Sequence, residues 1–406
     1  LIPIDPTLLL TNAGMVPFKP YMLGEESPPY RRAASVQKCA RTGDIDIVGT
    51  TARHLTFFEM LGNFSSGDNF KETAIPWAYD LVTEGLELDP ELLWFTVHET
   101  DDEASEIWLD AVGVDPGRLQ RRGRDNFWQM GVPGPCGPSS EIFYDKGPSY
   151  GPDGGPIVDE ERFVEIWNLV LMQHIQDDPY HVVGDLPARN IDTGAGLERI
   201  ATVLQGVDTV FETDAIREVV AAAEDVTGST FGVQERTDAS LRIMADHARA
   251  VTFLISDKVV PSNEGRGYVL RRLLRRAVRH AFLLDAHHLV MPRLIDATVA
   301  TMADAYPELV DKQDAITEMA EREEVGFRRT LESGHQLLDQ ELDAMGPDDV
   351  FPGATAFKLH DTFGFPRELT EESLTERGIM LDLDELRLWM EELRVGAGRS
   401  WKGGVA

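Results

Sequence analysis

Thr51-Ala52-Arg53-His54-Leu55-Thr56-Phe57-Phe58-Glu59-Met60-Leu61-Gly62-Asn63-Phe64 is the stretch on which the fold turns. It places one arginine just before an apolar run of strand character, with a carboxylate, Glu59, six residues after Arg53. Taken alone, that spacing fits a surface ion pair at a loop–strand junction as well as it fits an anion site. A second stretch, Asp192-Thr193-Gly194-Ala195-Gly196-Leu197-Glu198-Arg199, ends a strand on two glycines and opens a helix at a Gly-Leu-Glu-Arg step. Glycine lets a ligand approach the backbone, and a helix start beside an arginine suits an anion. Helix entry after a glycine-rich turn is also ordinary structure.

Outward from these stretches, residues up to about 208 mix short apolar runs (Leu8-Leu9-Leu10, Phe57-Phe58, 92–97, 163–172) with Gly/Pro-rich connections, a strand-rich α+β pattern. Segments 131–138 and 147–156 cannot continue a helix and are expected as loops set by proline and glycine. After Thr209 the periodicity turns helical over 214–226, 240–255, 267–284, 293–305 and 314–343. A short third region, 351–393, contains Gly364-Phe365-Pro366 and ends in an amphipathic helix. The expected organisation is a catalytic domain 1–208, a helical domain 209–345, its C-terminal part 346–395 and a glycine-rich boundary 396–406. That division suits 406 residues of 42% apolar composition, more than one ordinary core.

No segment approaches eighteen uninterrupted apolar residues, and Leu1-Ile2-Pro3-Ile4-Asp5 lacks a basic leader pattern, so no membrane partner and a cytoplasmic location are expected. Cys39 and Cys136 have no CxxC or CxxxH partner, which predicts buried free thiols and no zinc site. Against 38 basic residues stand 70 acidic ones, a net charge of -32, so any nucleic-acid contact must be local. One such place stands out. In 265–280, GRGYVLRRLLRRAVRH, Leu270, Leu273, Leu274, Ala277 and Val278 follow helical spacing and make one face core. The other face carries Arg271, Arg272, Arg275, Arg276 and Arg279, with Arg266 just before. Like charges at i, i+4 repel, so carboxylates of this acidic chain or a phosphate backbone should meet them.

The stretches together carry a resemblance. LLLTNAGM, TARHLTFFEMLGNF, DNFWQMG, GPCGPSSEIFYD, EIWNLVLMQ, NIDTGAGLERI, ADHARA, PSNEGRGYVLRRLLRRAVRH and HDTFGFP occur in the order of the alanyl-tRNA synthetases, whose N-terminal half this chain resembles over nearly its whole length. The resemblance implies a class II synthetase fold, an antiparallel sheet with flanking helices followed by a mainly helical tRNA-recognition domain. It implies a ligase that forms alanyl adenylate from alanine and ATP and passes alanine to tRNA(Ala).

Residue roles follow from the same resemblance. Arg53 would hold the α-phosphate and the alanine carboxylate, Glu59, Phe64 and Gly196 would lie along the nucleotide, and Arg199 would lie against adenine and phosphates. Trp128, Asn168 and Val170 would line the alanine pocket, Asp192 would receive the ammonium and Gly194 would leave it room. Glu165 is the implied magnesium ligand. Asn263 and Asp361 match the pair that reads an acceptor-stem G·U, although on sequence alone they read equally as a turn Asn and a helix-capping Asp. The family's zinc-dependent editing domain follows the region seen here, so correction in cis is not expected of this chain. Ser66 and Asn69 stand where the family usually has aromatics, which raises the alternative of a divergent copy with altered inhibitor sensitivity; an RNA-binding derivative that keeps the fold without charging is a second alternative.

Overall fold

A computed structural model of the chain describes residues 1–346 and 349–400. Eight strands build the main sheet: β1 Arg32–Ala40, β2 Phe57–Ser66, β3 Leu93–His98, β4 Leu119–Arg122, β5 Phe127–Gln129, β6 Gly134–Asp145, β7 Phe163–Asp178 and β8 His181–Gly196. They run in the order β1-β2-β8-β7-β6-β3-β4, with β5 added onto β6. Every pairing is antiparallel except β3 with β4. The α+β reading is therefore realised as a sheet whose centre is the long β7–β8 hairpin.

Side-chain alternation splits the sheet into two faces. Leu169, Leu171 and Ile191 pack with Phe95, Ile75 and Trp108 under the helices α2 (Lys71–Asp80, following the short α1, Lys19–Met22) and α3 (Asp102–Glu106). Phe64, Val170 and Met172 take the opposite face with Met15 and Met22. This second face, left uncovered by the large helices near the end of β8, carries the site.

Two local expectations fail. Residues 134–138 are the start of β6, not a loop: Gly137 lies opposite Trp128 of β5, and the pairing with β7 shifts register between Cys136 and Ser139. A Cβ at Gly137 would meet the Leu171 carbonyl oxygen at 2.1 Å, so glycine is there to let two strands close, and the irregular register accommodates the prolines beside it. Leu8-Leu9-Leu10, expected as a strand, forms bends.

Beyond the sheet lie α4 Leu197–Gln205, α5 Asp214–Thr227, α6 Glu235–Ser256, α7 Gly265–Leu283, α8 Met291–Met302 and α9 Glu308–Asp343, close to the spans read from periodicity. Helix α6 is buried from Leu241 almost without interruption to Ser256, as a helix surrounded on all sides must be. It nevertheless contains Asp246, His247 and Arg249, all at 0% exposure, and each has a partner. The chain divides into two compact units, Leu1–Ala320 and Glu321–Ala406. The second contains the end of α9, α10 Gly353–Asp361, α11 Arg367–Glu376, α12 Leu383–Ser400 and a two-stranded pair, β9 Val350–Phe351 with β10 Met380–Leu381. Residues 347–348 and 401–406, parts of the expected third region and boundary, lie outside the described residues.

Candidate active site

Register across three strands brings the site together. Asp192 of β8 lies opposite Phe64 on one side and Val170 on the other, Gly194 lies opposite Asn168, and Gly196 lies opposite Met60. These rows floor a cavity of about 300 Å³ whose walls include Arg53, His54, Trp128, Glu165, Glu198 and Arg199. Nine residues singled out in the sequence meet here: Arg53, Trp128, Glu165, Asn168, Val170, Asp192, Gly194, Gly196 and Arg199. Glu59 and Phe64 do not line it.

Glu59 is turned to the far face, where its carboxylate accepts a hydrogen bond from the Tyr306 hydroxyl at 2.6 Å and its amide donates to Glu198. Phe64 is buried in the core and stacks on Phe18 with ring centroids 4.1 Å apart. From β2 it is Phe58 and Met60 that face the cavity, with the Arg41 guanidinium 5.0 Å above the Phe58 ring. Ser66 and Asn69 are also outside the lining. Ser66 pairs with Asn190 at the end of β2, and the Asn69 amide donates to Ser65 Oγ. Replacing aromatics there removes no ring from this cavity, so the geometry gives the divergent-copy reading no support.

One end of the floor holds a buried carboxylate and a buried, unpaired amide oxygen. Asp192 is 5% exposed and no cation among the described residues pairs with it; burial pushes its carboxyl up to about 7. Asn168 donates its amide N–H to Glu141 at 3.0 Å, which fixes the side chain and leaves its buried Oδ1 without a donor. A buried acceptor left unpaired costs roughly 1–3 kcal/mol until a donor arrives. Glu141 is itself buried, and burial, then the neighbouring Glu165 carboxylate, raise it to about 8; the Thr96 hydroxyl donates to its other oxygen. The apolar walls here are Trp128 and Val170. A Cβ at Gly194 would lie 3.0 Å from the Met60 sulfur, so any larger residue there would narrow the floor.

The other end is cationic. Arg53 forms ion pairs with Glu160 at 3.2 Å and Glu161 at 3.1 Å, and Arg199 with Glu165 at 3.0 Å. The carboxylates hold both forks in place, and both are partly exposed, so a phosphate can take over their donors. His54 also lines the cavity. Burial, then Arg199 and Arg53, hold its pKa below the usual range, so it is a neutral imidazole, with Nδ1 2.8 Å from the Thr51 hydroxyl. Behind the wall, Arg249 of α6 pairs with Glu198 at 2.7 Å, both buried.

The remaining sequence candidates lie elsewhere. The apolar face of α7 is buried as read, from Leu270 through Val278. On its other face Arg271 donates to the exposed Asn263 Oδ1, Arg272 pairs with Asp46 at 2.6 Å, Arg276 donates to His247 Nε2 at 2.9 Å, and Arg266 reaches the Leu9 carbonyl. Arg275 and Arg279 also lie on that half-buried face. Asp361 is exposed and ends α10, the end at which a carboxylate opposes the helix dipole, so helix capping does not account for it. Cys39 and Cys136 are buried free thiols, raised to about 12 and about 11 by burial. No described helix is long and apolar enough to cross a membrane.

An antiparallel sheet whose floor carries a carboxylate at one end and two held guanidiniums at the other defines the class, and sequence comparison agrees: the chain belongs to the class II tRNA synthetases, the family model of "tRNA synthetases class II (A)" matching residues 1–405. Among curated proteins it is similar to the alanine–tRNA ligase of Parafrankia sp. (strain EAN1pec), 53% identical over 98% of this chain and 46% of the relative. The alanine–tRNA ligases of Thermobifida fusca, 51% identical, and Corynebacterium diphtheriae, 50% identical, show the same coverage of 98% and 46%. The chain thus spans about half the length of the curated relatives it matches. Among solved structures, an apo histidyl-tRNA synthetase of S. aureus aligns over 50% of this chain and 53% of its own at 11% identity and a TM-score of 0.29.

Proposed function

We propose that this chain activates alanine with ATP and transfers it to tRNA(Ala). The observation that carries the reading is the single floor on which Asp192 and the unpaired Asn168 Oδ1 await an ammonium group while Arg53 and Arg199 await an anion. An α-amino acid and a nucleotide α-phosphate laid along it are brought together in the order the reaction requires.

In that arrangement the alanine carboxylate attacks the α-phosphorus in line, pyrophosphate leaves, and an alanyl adenylate remains. No protein nucleophile is involved. Arg53 and Arg199 stabilise charge growing on the phosphate oxygens, and the remaining rate enhancement comes from holding the two reactants in line. Gly196 and Phe58 would lie along the nucleotide. The terminal ribose hydroxyl of tRNA then attacks the adenylate carbonyl and releases AMP. Among the described residues no group of three or more His, Cys, Asp or Glu converges as a metal cluster. Magnesium takes one or two carboxylates plus substrate phosphates, so Glu165, beside Arg199, fits as its protein ligand and the ion would add positive charge at the phosphates.

Trp128, Val170 and Met60 leave space for a methyl group beside Gly194. Glycine leaves a methyl-sized void, worth roughly 1–3 kcal/mol, so discrimination against it is moderate. For the tRNA, the arginine face of α7 would meet phosphates, and Asn263 and Asp361 would read the acceptor-stem G·U pair. The test is ATP–pyrophosphate exchange with alanine, glycine or serine, followed by charging of tRNA(Ala) with its G·U pair changed to G·C. Exchange dependent on alanine is expected, with charging lost on the G·C substrate; no exchange overturns the reading, and charging indifferent to the change overturns the roles of Asn263 and Asp361.

A further inference from the structure

The ADHARA segment of α6 takes no part in the chemistry above, yet it holds a chain of buried polar groups between the loop of Arg53 and the arginine helix. Asp246 Oδ1 accepts the Thr56 amide at 2.8 Å, at the point where the loop carrying Arg53 enters β2. Asp246 Oδ2 lies 2.8 Å from His247 Nδ1, and Arg276 of α7 lies 2.9 Å from His247 Nε2. Asp246 and His247 have no exposed surface.

The protonation of this chain is fixed by its ends. Arginine only donates, so His247 Nε2 is the acceptor, Nδ1 carries the proton, and that proton goes to Asp246. The ring is neutral, in keeping with a pKa held below the usual range by burial. A charged ring would present a second N–H to the guanidinium. The consequence for Arg276 is specific. Arg272 is matched by Asp46, whereas Arg276 has no carboxylate within ion-pair distance among the described residues and leans on a neutral ring. Its position is fixed and its charge is left for an anion.

We infer that His247 is a positioning residue that aims Arg276 at a tRNA phosphate and, through Asp246 and the Thr56 amide, holds that contact in register with the loop bearing Arg53. The inference rests on the proposed docking of tRNA along α7 and names which arginine is its fixed anchor. Asparagine at 247 keeps a donor near Asp246 and removes the acceptor for Arg276; glutamine does the reverse. Each breaks the chain at one link.

The experiment compares His247→Asn, His247→Gln, Arg276→Gln, the double variant His247→Asn/Arg276→Gln, and Arg272→Gln with Arg275→Gln as separate controls of the docking face. His247→Asn should keep alanine-dependent pyrophosphate exchange within about twofold, since no reactant touches it, while its KM for tRNA rises at least tenfold. The slope of log(kcat/KM) for tRNA against log[salt] should become shallower by about one phosphate contact in Arg276→Gln and equally in His247→Asn. The double variant should be no worse than either single one. Additive losses, or exchange and charging falling together in both His247 variants, overturn the inference and leave His247 as packing. If His247 variants do not fold, an unchanged tRNA KM and salt slope in Arg276→Gln overturns it alone. Losses in the Arg272 and Arg275 variants without one in Arg276→Gln sink this inference but spare the docking of α7; no loss in any of the arginine variants sinks both.

Discussion

Asp192 is buried at a cost in stability that its proposed role as an ammonium acceptor would explain. Its carboxyl titrates near 7 in the folded chain against 3.8 when exposed, so between those values the unfolded chain ionises and the folded one does not. Stability attributable to this group is complete below pH 3.8 and is lost as pH rises to about 7. Asp192→Asn should therefore raise the melting midpoint at pH 8, by an amount equivalent to roughly 1–4 kcal/mol, with the gain vanishing near pH 4, while exchange with alanine is abolished. Thermal melts at the two pH values check the first part. Because only the ionised form takes an ammonium ion, kcat/KM for alanine in the parent should fall about tenfold per unit below pH 7. Gly194→Ala is a second probe at this scale: the added methyl meets Met60 sulfur at 3.0 Å, so the ratio of alanine to glycine in exchange should drop by about tenfold or more. The acid, the amide and the two arginines were legible because each sits in a distinctive string. What was not legible was facing. Glu59 and Phe64 are five positions apart and lie on opposite faces of β2, and Phe64, although it shares the face of Phe58 and Met60, is packed into the core and does not line the cavity.

Among the elements, helices were the easier to read. Leu270, Leu273, Leu274, Ala277 and Val278 repeat at helical spacing and are all buried, so α7 falls where periodicity puts it. The start of β6 was hidden because Pro135 and Pro138 ordinarily end a strand; the hairpin pairing with β5 and the long-range approach of Gly137 to Leu171 permit it. Nor could spacing reveal that α6 places Arg249 against Glu198 at the start of α4. This pair connects the helical layer to the cavity wall. Arg249→Met leaves Glu198 buried and uncompensated, which should cost about 3–5 kcal/mol in denaturant unfolding. A loss below 1 kcal/mol would mean that Glu198 is neutral and the pair is not an ion pair in solution.

For the molecule as a whole, -32 charges on 406 residues produce self-repulsion that salt relieves. Raising NaCl from low to physiological strength should raise the melting midpoint even as it weakens the tRNA binding proposed for α7, a pair of opposed trends measurable on one preparation. The same charge explains why a single arginine-rich face is informative in this chain. That charge would also change as an amino acid binds in the proposed reaction. Burial pushes the Asp192 carboxyl up to about 7, so near neutral pH it is partly protonated in the ligand-free protein, and an ammonium group binding beside it favours the carboxylate and releases that proton to the medium. The heat measured by calorimetry on alanine binding should therefore depend on the buffer, shifting between phosphate and Tris in proportion to their ionisation enthalpies, and the proportionality constant counts the protons that Asp192 gives up.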